Sequence, residues 1–117
     1  MSSFIGHSHL SGEVAVHQLD GDLDLSRVPD LELLIASRER RGTRVLVLDL
    51  RRVTFMDSSV LRLLLAADQR ARREGRRLVL AVGEGTIRRL LRITLLESRF
   101  ELTDDPAAFR RTEGGGR

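Results

Sequence analysis

The chain contains no cysteine, which excludes both a disulfide framework and a thiolate metal site. That composition is compatible with a reducing cytoplasm. Tryptophan and tyrosine are absent too, and four phenylalanines are the whole aromatic content. The core must therefore be built from leucine, valine and isoleucine. Lysine is missing as well: all 20 basic residues are arginine, which accounts for a sequence pI near 11.0. Seventeen acidic residues offset them and leave a net charge of +3, a weak argument for a polyanionic partner. No apolar run approaches the ~18–20 residues of a membrane span. The N-terminus lacks the basic start and long apolar stretch of a secretory signal. At 117 residues the chain fits one domain.

What is present alternates between two periods. "EVAVHQLDGDLD" has strand period, with Val14, Val16 and Gln18 facing one way and Ala15, His17 and Leu19 the other. Asp20-Gly21 then marks a turn or bulge. A shorter strand is expected before it, around Phe4–Ser8, joined through Ser11-Gly12. "LSRVPDLELLIASRERRGT" reads as a helix with Ser26 as cap, Pro29 in the first turn and Gly42 as stop. Val28, Leu31, Leu34 and Ile35 make its apolar stripe. "RVLVLDL" is apolar at nearly every position, as in a central strand buried on both faces. "RRVTFM" is read as a linker to a second helix, on which Val60, Leu61, Leu64, Ala67 and Ala71 share a side and which Gly75 ends.

"RRLVLAV" repeats the buried-strand pattern. "GEGTIRRLLRIT" predicts a short helix with Ile87, Leu90 and Leu91 inward and Arg88, Arg89 and Arg92 outward. "RFEL" predicts a last strand, and "TDDPAAFRR" a capped helix with Pro106 early in it. "EGGGR", residues 113–117, has no means of packing and is expected to be a disordered tail to a domain spanning 1–112. The whole is an α/β layered domain.

Chemistry concentrates at "MDSS". Asp57, Ser58 and Ser59 fall where the extended stretch gives way to the second helix. One of them serves as N-cap, but a cap accounts for one residue and not three. A helix N-terminus also favours phosphate, and phosphorylation there would add about −1.5 to −2 charges. A nucleophilic serine is disfavoured: the G-x-S-x-G elbow is missing, and the histidines His7, His9 and His17 lie in or near the first strands. His7 and His9 share a strand face but lack a third metal ligand. The basic run Arg70–Arg77, with Arg88, Arg89 and Arg92, could face a phosphate backbone, but it has no interleaved aromatics for stacking bases. Asp20, Asp22 and Asp24 form an acidic loop at a strand end, suited either to capping or to a basic partner.

Three blocks, "LDGDLDLS", "RVLVLDLRRVTFMDSSVLRLLLAA" and "IRRLLRITLLESRFEL", resemble in order and spacing the STAS-domain anti-sigma factor antagonists. The resemblance runs from about Glu13 to Phe109. It implies a mixed β-sheet of four to five strands packed with about four α-helices. It also implies a small cytoplasmic switch that is not an enzyme, uses no cofactor and acts as a monomer, without touching nucleic acid or membrane. Its partner would be an anti-sigma factor that is also an ATP-binding serine kinase. Binding releases a sigma factor, phosphorylation of the serine after the family aspartate ends the binding, and a PP2C-type phosphatase resets the switch. Carried over by position, the phosphorylated residue is Ser58. The partner-binding set is Asp22, Asp24, Asp57, Ser58, Ser59, Val60 and Arg62, with Gly21–Asp24 matching the family's acidic loop. The family commonly has glycine where this chain has Val60 and Leu95, and valine is expected to add bulk on the first helical turn. Alternative readings are a STAS-type scaffold or ligand-sensing module without phosphotransfer, and a nucleic-acid binder using the arginine face.

Overall fold

Strands that are apolar at consecutive positions must be covered on both sides. The computed structural model, which describes residues 7–11 by their backbone and residues 14–109 in full, satisfies this with a five-stranded sheet ordered β1-β2-β3-β4-β5. β1 (His7–Ser11) runs antiparallel to β2 (Val14–Leu23). β2, β3 (Val45–Met56), β4 (Arg77–Ala81) and β5 (Glu101–Thr103) are parallel to one another. Parallel neighbours need crossovers. α1 (Val28–Arg40), α2 (Ser58–Arg73) and α3 (Thr86–Ile93) supply them. The expected α/β architecture with a mixed sheet is what the chain adopts.

The larger core lies between the sheet and the helices. Leu46, Leu48, Leu50, Leu78 and Leu80 meet Leu31, Ile35, Val60, Leu64, Ile87 and Leu91 there. Burying each such side chain contributes about 1.5–3 kcal/mol. On the other face Val16, Val47, Val79 and Ala81 form a smaller cluster against Phe109. Residues 107–109 are helical, and the Asp105 carboxylate accepts a hydrogen bond from the Ala107 N–H at 3.1 Å. The rest of that expected helix and the 113–117 tail lie outside the described residues.

Several local expectations need correction. The first strand is His7–Ser11 rather than Phe4–Ser8; residues 1–6 and Gly12 lie outside the described residues. Ser26 does not cap α1. A 3-10 turn, Leu25–Arg27, precedes that helix, and Asp24 caps the turn. "RRVTFM" is no linker, because β3 continues to Met56. The polar residues there disguise a strand whose buried positions, Val53 and Met56, are three apart instead of two apart. Arg88 folds back instead of facing outward. Its Nε donates to the Gly83 carbonyl at 2.7 Å, and it ion-pairs with Glu97 and Asp104 at 3.1 Å each.

Leu95 stands in the left-handed region, at φ 63°. The α3 terminus explains why: the Leu96 N–H reaches back to the Leu91 carbonyl at 2.8 Å, which forces the residue between into that conformation. Glycine takes that position without strain; leucine does not.

Candidate functional site

The site is built at the ends of β2 and β3. Their pairing is regular from Val14↔Val45 to Gln18↔Asp49, then shifts twice, between Gln18 and Asp20 and between Gly21 and Asp22. Gly21 permits the second shift with φ 76°. The extra residues lie on β3, and the guanidinium of Arg27 fixes the β2 side of the shifted pairing, donating to the Asp22 carbonyl at 3.0 Å and the Asp20 carbonyl at 3.5 Å. The shifts bring Asp22 opposite Phe55 and Leu23 opposite Met56. Leu23 and Met56 enter the core, while Asp22 and Phe55 stay exposed.

One hydrogen bond joins this corner to α2. The Asp57 N–H donates to the Leu23 carbonyl at 2.9 Å, fixing the helix start beside the acidic loop. Asp57 itself is the N-cap, with extended backbone. Its Oδ1 accepts from the Ser59 N–H at 2.8 Å and from the Ser59 hydroxyl at 2.9 Å. The Ser59 N–H, then its hydroxyl, and the charge of Arg62 hold the Asp57 carboxyl below its ordinary value of 3.8. Asp57 is thus an anion at neutral pH.

The three polar residues therefore divide their roles. Asp57 caps, the Ser59 hydroxyl is committed to the cap, and Ser58 is exposed at the first helical position. The Ser58 hydroxyl has no hydrogen-bond partner among the described residues. Asp22 and Asp24 are also exposed at this rim. The Asp22 carboxylate accepts from the Thr54 hydroxyl at 2.7 Å. Asp24 accepts from the Ser26 N–H at 3.0 Å and from its hydroxyl at 2.5 Å. Arg62 is exposed one turn along α2. Of the seven residues expected in the partner-binding set, six lie at or near this rim. Val60 does not: it is 0% exposed, inside the core, and offers no surface to any partner. The added methyls fill the interior.

Sequence reasoning missed Phe55 and Leu25, which are 49% and 65% exposed at the same rim. A signal existed: Phe55 sits next to the apolar Met56, so only one of the two can face the core of a strand.

Other candidates fare less well. His17 pairs with Leu48 in mid-strand and is buried. Six residues separate it from Leu23, about 20 Å of strand, so it is no base for Ser58. The side chains of His7 and His9 lie outside the described residues. Among the described residues there is no group of three or more His, Cys, Asp or Glu placed to hold a metal. No helix among them is long and apolar enough to cross a membrane. The arginine face is largely paired: Arg70 with Glu39, Arg72 with Asp68, Arg76 with Glu74, Arg77 with Glu101, and Arg88 and Arg92 with Glu97. Such pairing lowers its value as a phosphate-binding surface.

Comparison with known proteins places this geometry in a family. The sequence model of the STAS domain matches residues 9–109. The chain belongs to the STAS-domain family. No curated protein sequence matches it. Among solved structures it is similar to an anti-sigma factor antagonist from Mycobacterium paratuberculosis, with a TM-score of 0.77 and 23% identity over 92% of this chain and 91% of that one. It is also similar to the anti-sigma factor antagonist SpoIIAA in its unphosphorylated form, with a TM-score of 0.71 and 19% identity over 95% and 98% of the two chains. The phosphorylated form of SpoIIAA, a Bacillus cell fate determinant, gives 0.69 and 22% over 91% and 97%. These likenesses establish a shared fold.

Proposed function

We propose that this STAS domain is an anti-sigma factor antagonist whose unphosphorylated form binds an anti-sigma factor that is also a serine kinase. Binding releases a sigma factor, and phosphorylation of Ser58 ends it. The observation that carries this reading is the isolation of one hydroxyl: Ser58 stands exposed beside an anionic cap that has already taken up Ser59. The names of the similar structures support the class, since one of those proteins is known in both phosphorylation states.

The chemistry asks little of the domain. In the kinase–substrate complex the Ser58 oxygen forms a bond to the γ-phosphorus of ATP. The bond to the ADP oxygen breaks, ADP leaves, and the hydroxyl proton passes to a base on the kinase. The product carries about −1.5 to −2 charges at the head of α2, where the helix dipole accommodates it. Asp57, Asp22 and Asp24 already make this rim acidic. A phosphate at the centre of this contact adds bulk and a charge that must be desolvated on binding, and both cost affinity. A tenfold loss needs only ~1.4 kcal/mol. A PP2C-type phosphatase, a cytoplasmic setting and action as a monomer belong to the same reading. The domain has no catalytic task in it.

Phosphopeptide mapping tests the assignment. Candidate serine-kinase anti-sigma factors from the source genome are purified one by one and incubated with the protein and Mg-ATP. Trypsin then releases "VTFMDSSVLR", residues 53–62. A single phosphate on Ser58, absent from Ser58→Ala, is the expected result, together with loss of the complex. Phosphate on Thr54 or Ser59, or no kinase that binds, would overturn the reading.

A further inference from the structure

Phe55 and Leu25 stand exposed at the acidic rim, and neither belongs to a core cluster. The 3-10 turn that carries Leu25 has no buried residue at all. Phe55 pairs across the sheet with Asp22, and Leu25 lies two residues beyond Leu23, whose carbonyl holds the Asp57 N–H. Two large apolar side chains thus sit within a few residues of Ser58, although folding leaves them 49% and 65% in water. Isolated exposed apolar residues are ordinary; two on one rigid corner, rimmed by charge, mark a contact surface. The corner is rigid because bulge, Arg27 staple and helix cap all converge on it.

We propose that Phe55 and Leu25 are the apolar anchor of the Ser58 surface, and that the partner presents a shallow apolar pocket ringed by arginine or lysine. The inference rests on the proposed function and names the chemistry of its partner. The argument for that occupant is charge. Asp22 pairs with Phe55 across the sheet, Asp24 immediately precedes Leu25, Asp57 lies two residues beyond Phe55, and the nearby cation Arg27 is occupied with backbone carbonyls. Arg52, opposite Asp20, and Arg62 temper the field without reversing it. An interface with an apolar centre and a complementary charged rim gains affinity from the first and association rate from the second. A phosphate on Ser58 would then stand between the anchor and its pocket, and its bulk would hold the two apart even where a cation of the ring pairs with it.

The test uses the full chain and whichever purified serine-kinase anti-sigma factor binds it, with Kd measured by calorimetry and the rates by stopped flow, Mg-ADP present in both. Phe55→Ser and Leu25→Ser should each weaken Kd by ~10-fold or more, as anchor residues do. Leu25→Ser should keep wild-type thermal stability and Phe55→Ser should lose little, since the two side chains are already 65% and 49% in water. Phe55→Leu should recover most of the affinity. Asp22→Asn should slow association and flatten its salt dependence while leaving dissociation near wild type. Phe55→Ser binding at wild-type Kd, while Ser58→Glu still abolishes binding, would sink the anchor and leave the proposed function standing. Wild-type protein that binds no such kinase removes both together. Sedimentation that shows a dimer dissolved by Phe55→Ser would assign the surface to a second copy of this chain instead and overturn the stated partner.

Discussion

Acidification should destabilise this domain through one buried histidine. His17 lies on β2, on the helix-facing side with Ala15 and Leu19, and is 6% exposed. Burial, then the positive charge of Arg38 on α1, lowers its pKa from 6.5 to about 4. The folded state thus resists the proton while the unfolded chain binds it readily. As pH falls through 6.5 the unfolded state gains protons first, and stability drops until the folded pKa is reached. Below about 4 both states are protonated and His17 contributes no further slope. At ~1.4 kcal/mol per pH unit, that window amounts to about 3 kcal/mol. Small domains are stable by only about 5–15 kcal/mol, so the loss is a large fraction of the whole. Urea unfolding followed by circular dichroism at several pH values from 7 to 4 measures it. His17→Gln keeps a polar side chain but no titration, and should flatten the profile across this window. Wild-type stability that is level between pH 6.5 and 4.5, or a slope that survives in His17→Gln, refutes the reasoning. Asp57 does not confuse the result, because its carboxyl is held below 3.8 and its stabilising charge is lost only at lower pH.

The two positions where the family's glycine is replaced should respond in opposite senses. Leu95→Gly should stabilise the domain by about 0.5–1 kcal/mol in chemical denaturation, because it relieves a left-handed leucine and, at 82% exposure, loses little packing. Leu95→Ala should give no such gain, since alanine keeps the strained Cβ. Val60→Gly should cost about 3 kcal/mol, combining a buried cavity with glycine's poor helix propensity. Partner affinity measured on the remaining folded fraction should be unchanged, because Val60 has no surface to contribute.

Periodicity carried most of the fold. The buried strands around Leu48 and Leu80 and the stripe Val60, Leu61, Leu64, Ala67, Ala71 could be read directly, because a two-sided sheet and a one-sided helix leave different patterns. Reading failed where a tertiary contact overrode the local pattern. The β3 extension looked like a linker because its polar residues face solvent past the end of β4, and its two bulges break strict alternation. Ser26 looked like a cap because the sequence does not reveal that Asp24, two residues earlier, closes a separate turn first. Val60 was placed on the surface by analogy with a glycine, although its helical stripe already put it inward. Arg88 required contacts with Glu97 and Asp104, which no local pattern encodes. At the site the types of residue were legible. The division of labour between Ser58 and Ser59 was not, since it depends on which hydroxyl turns toward Asp57.

That division also decides what kind of switch this corner can be. The bonds that start α2 run from Ser59 to Asp57 and from Asp57 to the Leu23 carbonyl; none passes through the Ser58 hydroxyl. A group attached to Ser58 would therefore break no capping bond, and the helix N-terminus tolerates its charge. Core residues one turn away, Val60, Leu61 and Leu64, stay packed regardless. Modification at Ser59 would act differently, because it would remove a donor from the cap and bring phosphate against the Asp57 carboxylate. The arrangement thus confines a covalent change at Ser58 to the surface that a partner meets. Under the proposed function the switch would be one of charge and shape on a fixed scaffold, with thermal stability and far-UV circular dichroism of the Ser58-phosphorylated chain expected to match those of the unmodified one. A melting temperature that falls by several degrees on phosphorylation would mean that the cap does sense Ser58 and that the scaffold itself moves.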